Sequence, residues 1–474
     1  MTTATHASQA TGHALGFQTL DVERELDSLP VEGRLPEWLS GSLVRTGPAK
    51  FEAGGRSLNH WFDGLAMLHR FSFAGGDVSY ANRFLRGRAY GEVDAHGQLG
   101  YMEFATDPCR SLFKRVSTLF KPAFSDNGNV NVSRIGEEFI AMTETPLPVV
   151  FDPHTLEAAG VAYEPPGQLT TAHPHHDRDS GELVNFAAQL GPRSQYRFYA
   201  QSSRDQQRRI ASLPVREPAY VHSFGITEHY LVLAEFPFRV NPLRLALSGR
   251  PYIENYRWRP QLGTRLHVID RGSGEVQRTF EAQPCFAFHH VNAFERGSEL
   301  VADICTYRDP GVIGALYLDS LRDGSSPMPT AQLRRYRLGL ATGRVEEETL
   351  VDNVELPRID YRVCNGRPHR YVYGIGSGAD AASFLDRIVK VDTDSGESLT
   401  WSEDGCHPGE PIFVPTPGER AEDGGVLLSV TLDERSGTSF LLVLDAADLG
   451  ELARAQVPHH IPFSFHGQFF GDVS

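Results

Sequence analysis

Met67-Leu-His-Arg-Phe-Ser-Phe-Ala-Gly-Gly-Asp-Val-Ser-Tyr80 sets alternating apolar residues on either side of a Gly-Gly-Asp turn. Period-two alternation around such a turn is the signature of a β-hairpin, and short strands broken by turns continue from Trp38 to the end of the chain. A second pattern runs over the first: an apolar residue and an Asp end a strand, and a turn with an acidic restart follows. It occurs at Phe151-Asp152, at Ile269-Asp270 before Ser273-Gly274-Glu275, at Val391-Asp392 before Ser395-Gly396-Glu397, and at Leu444-Asp445. The aspartates are 118, 122 and 53 residues apart, or two, two and one units of roughly 53 to 61 residues. A unit of that size matches a four-stranded propeller blade with a long loop, and seven of them nearly fill the chain. The expectation is an all-β, seven-bladed β-propeller.

Composition narrows the function. The 474 residues hold 45 Lys and Arg against 60 Asp and Glu, a net charge of −15 that argues against a nucleic-acid partner. The 75 Gly and Pro follow no period and 10% of the chain is aromatic, which excludes general disorder. Five cysteines with no CxxC pair suit a reducing compartment. Met1 to Phe17 has no signal-peptide character and no stretch reaches a membrane span. A cytoplasmic protein is expected, and with no linker-like shift in composition, residues 1–474 are read as one domain.

Four of the 19 histidines stand out by context. They are His173 in Thr170-Thr-Ala-His-Pro174, His222 in Tyr220-Val-His-Ser-Phe224, His289 in Phe286-Ala-Phe-His-His-Val-Asn-Ala-Phe294, and His466 in Phe463-Ser-Phe-His-Gly467. Their separations of 49, 67 and 177 residues are consistent with one histidine from each of four blades, meeting at the propeller axis. Four neutral imidazoles suit iron, copper, zinc or nickel, and spacing does not choose among them. Adjacent side chains on a strand face opposite ways, so only one of His289 and His290 can look at the axis. Ligating histidines usually donate their other ring N–H to a carboxylate. Glu144 in Met142-Thr-Glu-Thr-Pro146, Glu355 in Val354-Glu-Leu-Pro357 and Glu410 in Gly409-Glu-Pro-Ile-Phe-Val414 sit among proline and apolar neighbours where such acids are expected.

These motifs, with Gly41-Ser-Leu-Val-Arg-Thr-Gly-Pro48, His60-Trp-Phe-Asp-Gly-Leu-Ala-Met-Leu-His69 and the terminal His466-Gly-Gln-Phe, resemble the carotenoid cleavage oxygenases along nearly the whole chain. The resemblance implies a propeller capped by a dome of loops and short helices, with a non-haem Fe(II) on its axis held by His173, His222, His289 and His466. It places the ligand at the first histidine of the His289-His290 pair, makes Glu144, Glu355 and Glu410 the acids that orient three imidazoles, and brings Val130 of Asn129-Val-Asn-Val132 toward an open position at the iron. It implies O2-dependent cleavage of a conjugated double bond in a lipophilic polyene into two carbonyl products. Asn59-His-Trp-Phe-Asp-Gly64, Asn82-Arg-Phe-Leu-Arg86 and Ala105-Thr-Asp-Pro-Cys109 look like the branch of the animal β-carotene oxygenases and the retinoid isomerohydrolase, which favours a carotenoid or apocarotenoid substrate. The alternatives are a stilbene-cleaving relative, whose pocket Tyr and Lys have no clear local match here, a non-enzymatic propeller binding module, and a metal-dependent hydrolase, which would need carboxylates bound to the metal.

Residues 110–124 differ from their surroundings. Leu112, Phe113, Val116, Leu119 and Phe120 fall at helical spacing, with Arg110, Lys114, Arg115 and Lys121 supplying positive charge. This stretch is expected to touch a membrane surface, the alternative being a helix packed on the dome. Cys109 beside it could carry a lipid or be a plain buried thiol.

Overall fold

In the computed structural model, which describes residues 12–107, 124–145, 147–324, 326–378 and 384–473, the Gly-Gly turn closes a hairpin between the strands Leu65–Ala74 and Asp77–Phe84. Ala74 pairs with Asp77, and the two intervening glycines have φ of +60° and +87°, the left-handed pair that a two-residue hairpin needs.

Seven antiparallel sheets make a seven-bladed propeller. The repeated aspartates mark one turn in four blades. Each of Asp152, Asp270, Asp392 and Asp445 lies at the end of a blade's third strand, and its backbone N–H donates across the loop to the residue that restarts the chain, at 2.8 to 2.9 Å. The fifth residue of each loop, Leu156, Gly274, Gly396 or Leu449, closes the turn with a positive φ between 59° and 75°. The innermost strands begin at Asn131, Leu169, Gly225, Phe286, Glu355, Cys406 and Gly467, so the units are less even than 53 to 61 residues. The excess lies in long connections around 85–130, 236–263 and 308–331, whose described parts carry short helices such as Arg88–His96, Pro242–Ser248 and Leu318–Asp323 and roof one end of the axis. The stretch 110–124 and Cys109 lie outside the described residues, apart from Phe124.

The ring is closed twice. Gly467–Phe470, near the C-terminal end, is the innermost strand of the sheet containing Gly41–Lys50, while Val31–Gly33 pairs with Glu451–Gln456 as the outer strand of the last sheet. Fully buried apolar residues from neighbouring sheets, among them Leu43, Phe71, Leu428 and Leu441, pack between these two blades.

Gly33 reports on the second closure. Its φ is +82°, and a Cβ there would lie 2.3 Å from the backbone oxygen of Leu452. Gly55 has a similar φ of +75° with open space around it. Gly33→Ala should lower the apparent melting temperature by several degrees and Gly55→Ala by clearly less, because both carry the roughly 1 to 2 kcal/mol cost of a left-handed Cβ but only the first is forced apart from its partner strand. Equal melting temperatures would show that this contact does not hold the ring.

Candidate metal centre

The innermost strands carry the functional side chains, and they do so where they are irregular. The inner strand of the 169–214 sheet is broken into Leu169–Thr170 and His175–His176, both paired with Leu183–Gln189, and His173 sits in the gap. The inner strand of the last sheet is broken in the same way into Cys406–Pro408 and Ile412–Pro415, with Glu410 in its gap. In Phe286–Arg296 the register slips between Ala287 and His290, and in Glu355–Arg358 between its two ends, where Leu356 has φ +47°. His222 and His466 come just before the inner strands Gly225–Ile226 and Gly467–Phe470. Bulges and breaks bend a strand and re-aim its side chains, and four of the seven expected residues, His173, His289, Glu355 and Glu410, sit at one.

His173, His222, His289 and His466 converge so that one ring nitrogen from each lies within 4.8 Å of all the others. The Nε2 atoms of His173 and His222 are 3.0 Å apart and those of His289 and His466 are 3.2 Å apart. Behind three of the rings stands a carboxylate: His222 Nδ1 donates to Glu144 at 2.6 Å, His289 Nδ1 to Glu355 at 2.5 Å, and His466 Nδ1 to Glu410 at 2.7 Å. Among the described residues no carboxylate bonds the ring of His173. His290 turns away, its Nδ1 donating to Ser223 Oγ at 2.8 Å, while Ser223 in turn donates to Phe288 O.

These bonds fix the chemistry of the cluster. With each Nδ1 proton donated to a carboxylate, the Nε2 atoms of His222, His289 and His466 are bare lone pairs directed into one buried cluster, an arrangement that a cation would satisfy. Four neutral nitrogen donors suit a divalent transition metal. Burial, then the neighbouring rings of His466 and His222, holds His173 well below the usual imidazole value. Burial also lowers His222, against the pull of Glu144, and brings His466 to about 4 despite Glu410. Glu410 is held at about 2, because Arg358, His466 and Arg45 outweigh the burial that would raise it.

Three of the four histidines, His222, His289 and His466, form one wall of a cavity of about 720 Å³ whose other walls are mostly aromatic and aliphatic, including Trp61, Phe62, Phe104, Phe288 and Phe465. Val130 lines the same cavity and its carbonyl accepts from the backbone N–H of His466 at 3.2 Å. The His60-Trp-Phe-Asp motif builds this wall. His60 caps the short helix Trp61–Asp63, and the buried Asp63 accepts from the Thr106 hydroxyl at 2.6 Å and from the Ala105 N–H at 2.9 Å. Two participants escaped the sequence reading. Tyr220 donates its hydroxyl to Glu144 at 2.6 Å, and Arg358 forks Glu410 at 2.8 and 3.2 Å. Tyr220 had a signal, since it lies two residues before His222 on one face; Arg358 is an ordinary surface-type residue by sequence.

Residues 17–471 match the family model described as retinal pigment epithelial membrane protein. The chain belongs to that carotenoid oxygenase family. The carotenoid isomerooxygenase of Galleria mellonella is 36% identical, covering 93% of this chain and 92% of the relative, and the β,β-carotene 15,15'-dioxygenase of Homo sapiens is 32% identical over 94% and 92%. A solved structure of the Synechocystis apocarotenoid oxygenase superposes with a TM-score of 0.86 at 28% identity, covering 98% of this chain and all of that one. A cobalt-substituted form of the same oxygenase gives 0.84 at 29% identity over 96% and 98%. The seven-bladed fold is thus the fold of this oxygenase family.

The cluster's electrostatics contribute to how the metal-free fold responds to acid, alongside other buried histidines such as His60, His69 and His175. Because the folded-state values of His173, His222 and His466 lie below the ordinary 6.5, the unfolded chain binds protons that the folded chain refuses. Their contribution is complete above about pH 6.5 and is lost as pH falls through the window down to about 4 for His466. Chelator-stripped protein should melt at progressively lower temperature between about pH 7 and pH 4. A flat profile across that window would contradict neutral imidazoles at the core.

Proposed function

We propose that this protein is a non-haem Fe(II) dioxygenase that cleaves a conjugated carbon–carbon double bond of a carotenoid or apocarotenoid into two carbonyl products. The observation that carries the reading is the convergence of four imidazole nitrogens within 4.8 Å at the wall of a large apolar cavity. The relatives' activities support the substrate class, and among the described residues no carboxylate joins the nitrogen cluster. A binding module would have no use for three His–Glu pairs around one nitrogen cluster.

His173, His222, His289 and His466 would hold the iron, and Glu144, Glu355 and Glu410 would fix three of the rings. Iron bound there supplies one-electron and O2 chemistry. The chain's own residues do the rest. Phe62, Phe104, Phe288 and Phe465 flatten an extended polyene and keep water from the reacting carbons, and Val130 fills the space beside His466 so that the double bond has one resting place. No proton transfer falls to His222, His289 or His466, whose Nδ1 protons stay on the rings and are held there by hydrogen bonds to the carboxylates.

Fe(II)-reconstituted protein should convert β-carotene or an apocarotenal to two aldehydes or ketones identified by mass spectrometry. His173→Ala, His222→Ala, His289→Ala and His466→Ala should each lose iron and all turnover, whereas His290→Ala should keep its iron. Equal loss in His289→Ala and His290→Ala would overturn the ligand set, and an iron-loaded protein that leaves every polyene intact would overturn the activity.

We infer also that the protein draws its substrate from a lipid surface, through residues 110–124 together with the helix Pro242–Ser248. Leu243 and Leu247 on that helix are 69% and 68% exposed, and Leu245 and Leu247 line the cavity. Among the described residues no helix is long and apolar enough to cross a membrane, so the contact would be peripheral. Leu243→Ser, at a residue outside the cavity lining, should weaken binding to anionic liposomes and slow cleavage of liposome-borne substrate, since a leucine withdrawn from lipid forfeits roughly 1.5 to 3 kcal/mol. Cleavage of a detergent-dispersed apocarotenal should change little; equal slowing of both would refute the lipid route.

A further inference from the structure

The three glutamates behind the imidazoles are not equivalent. Glu144 accepts on Oε1 from His222 and from the Tyr220 hydroxyl, each at 2.6 Å. Glu355 accepts on Oε2 from His289 at 2.5 Å and from the Leu356 N–H at 2.6 Å, and its buried Oε1 has no partner. Among the described residues neither pairs with an arginine or a lysine. Glu410, 1% exposed, is saturated. Its Oε1 accepts from His466 Nδ1 at 2.7 Å and Arg358 Nε at 2.8 Å, and its Oε2 from the Gly467 N–H at 3.1 Å and Arg358 Nη2 at 3.2 Å. Arg358 Nη2 also donates to Gly467 O. A second guanidinium, the buried Arg45, donates to the backbone oxygens of Glu410 and Phe465, both at 3.2 Å.

We propose that Arg358 is a positioning residue for the metal centre, which sets the donor strength of His466 by forking Glu410 and cancelling its charge. The proposal rests on the Fe(II) reading above. A carboxylate pulls on the Nδ1 proton of a ligating imidazole and makes that ring a stronger donor through Nε2. Glu144 and Glu355 bring a whole negative charge to this task. Glu410 has given much of its charge to a planar, permanently charged fork in a buried setting. The centre therefore has two strongly polarised rings, His222 and His289, one weakly polarised ring, His466, and one without a carboxylate, His173. A weaker donor and a nearby positive charge both favour the lower oxidation state, so Arg358 holds the iron toward Fe(II), the form that takes up O2 in the reading above.

The test is the Fe(III)/Fe(II) midpoint potential of reconstituted protein, read beside iron content and melting temperature. Arg358→Gln frees the charge of Glu410, and the potential should move negative by about 59 mV, which is about a tenfold gain in affinity for Fe(III) relative to Fe(II). Arg358→Lys keeps the positive charge and should stay near the parent value. A merely structural Arg358 would lower melting temperature or iron content and leave the potential of the remaining iron where it was, and that result overturns the proposal. A parent that takes up no iron overturns the Fe(II) reading and this inference with it. Should Arg358→Gln not fold, the unmutated protein decides. In the zinc-loaded, ¹⁵N-histidine-labelled chain, the His466 Nδ1–H proton should resonate upfield of those of His222 and His289, which Glu144→Gln and Glu355→Gln identify. Three coincident protons overturn it.

Discussion

Three Nδ1–H to carboxylate bonds hold the functional core of this molecule in its one useful arrangement. Without them each imidazole could take either tautomer and turn its N–H into the cluster, and the crowding of nitrogens at 3.0 and 3.2 Å would relax into ordinary hydrogen bonds. With them, three lone pairs are forced to face each other in a buried space. That is unfavourable for the polypeptide alone and is tolerable only because the surrounding sheets are rigid and a cation can relieve it. Buried Glu355 raises the stakes, since a carboxylate that lost its imidazole there would be left without adequate solvation.

The propeller suits this task because it brings distant parts of one chain to an axis without asking any single segment to fold around the metal. Regular strands would not suffice. A strictly alternating strand shows its axis-facing residues in a fixed rhythm, and four rings plus three acids need individual aim. The breaks around His173 and Glu410 and the slips around His289 and Glu355 supply it, and the backbone groups they leave over are used: Gly409 donates its N–H to Val430, and Leu356 donates its own to Glu355. The cavity wall shows the same economy, since the capped turn at His60 exists to present Trp61 and Phe62.

Much of this was legible in the sequence, for physical reasons that differ from part to part. The hairpin at Gly75-Gly76 could be read because only glycine takes the required φ twice in succession. The four aspartates could be read because one loop geometry recurs around them. Blade length could not, because roof insertions of different size are spliced between blades whose strands remain alike. The histidines were legible through their aromatic surroundings, and the axis-facing member of the His289-His290 pair by resemblance. Simple alternation was a weaker guide there than it looked, because the register slips at that point. Arg358 was invisible. Nothing local to Leu356-Pro-Arg358 says that its guanidinium meets a carboxylate 52 residues further on, and that pairing exists only once two blades are side by side.

The double closure of the ring also orders events in time. Ribosomal synthesis delivers His173, His222 and His289 with their blades, but His466 arrives on the segment that immediately precedes the last inner strand, Gly467–Phe470, which completes a sheet begun at Gly41. The fourth nitrogen and the final seam of the circle are therefore one structural event. A nascent chain can offer three nitrogens and an open ring, and it gains its last donor in the same step that locks its first and last sheets together. Metal retention by this protein is in that sense a readout of finished assembly, with quality control written into the order of its own residues.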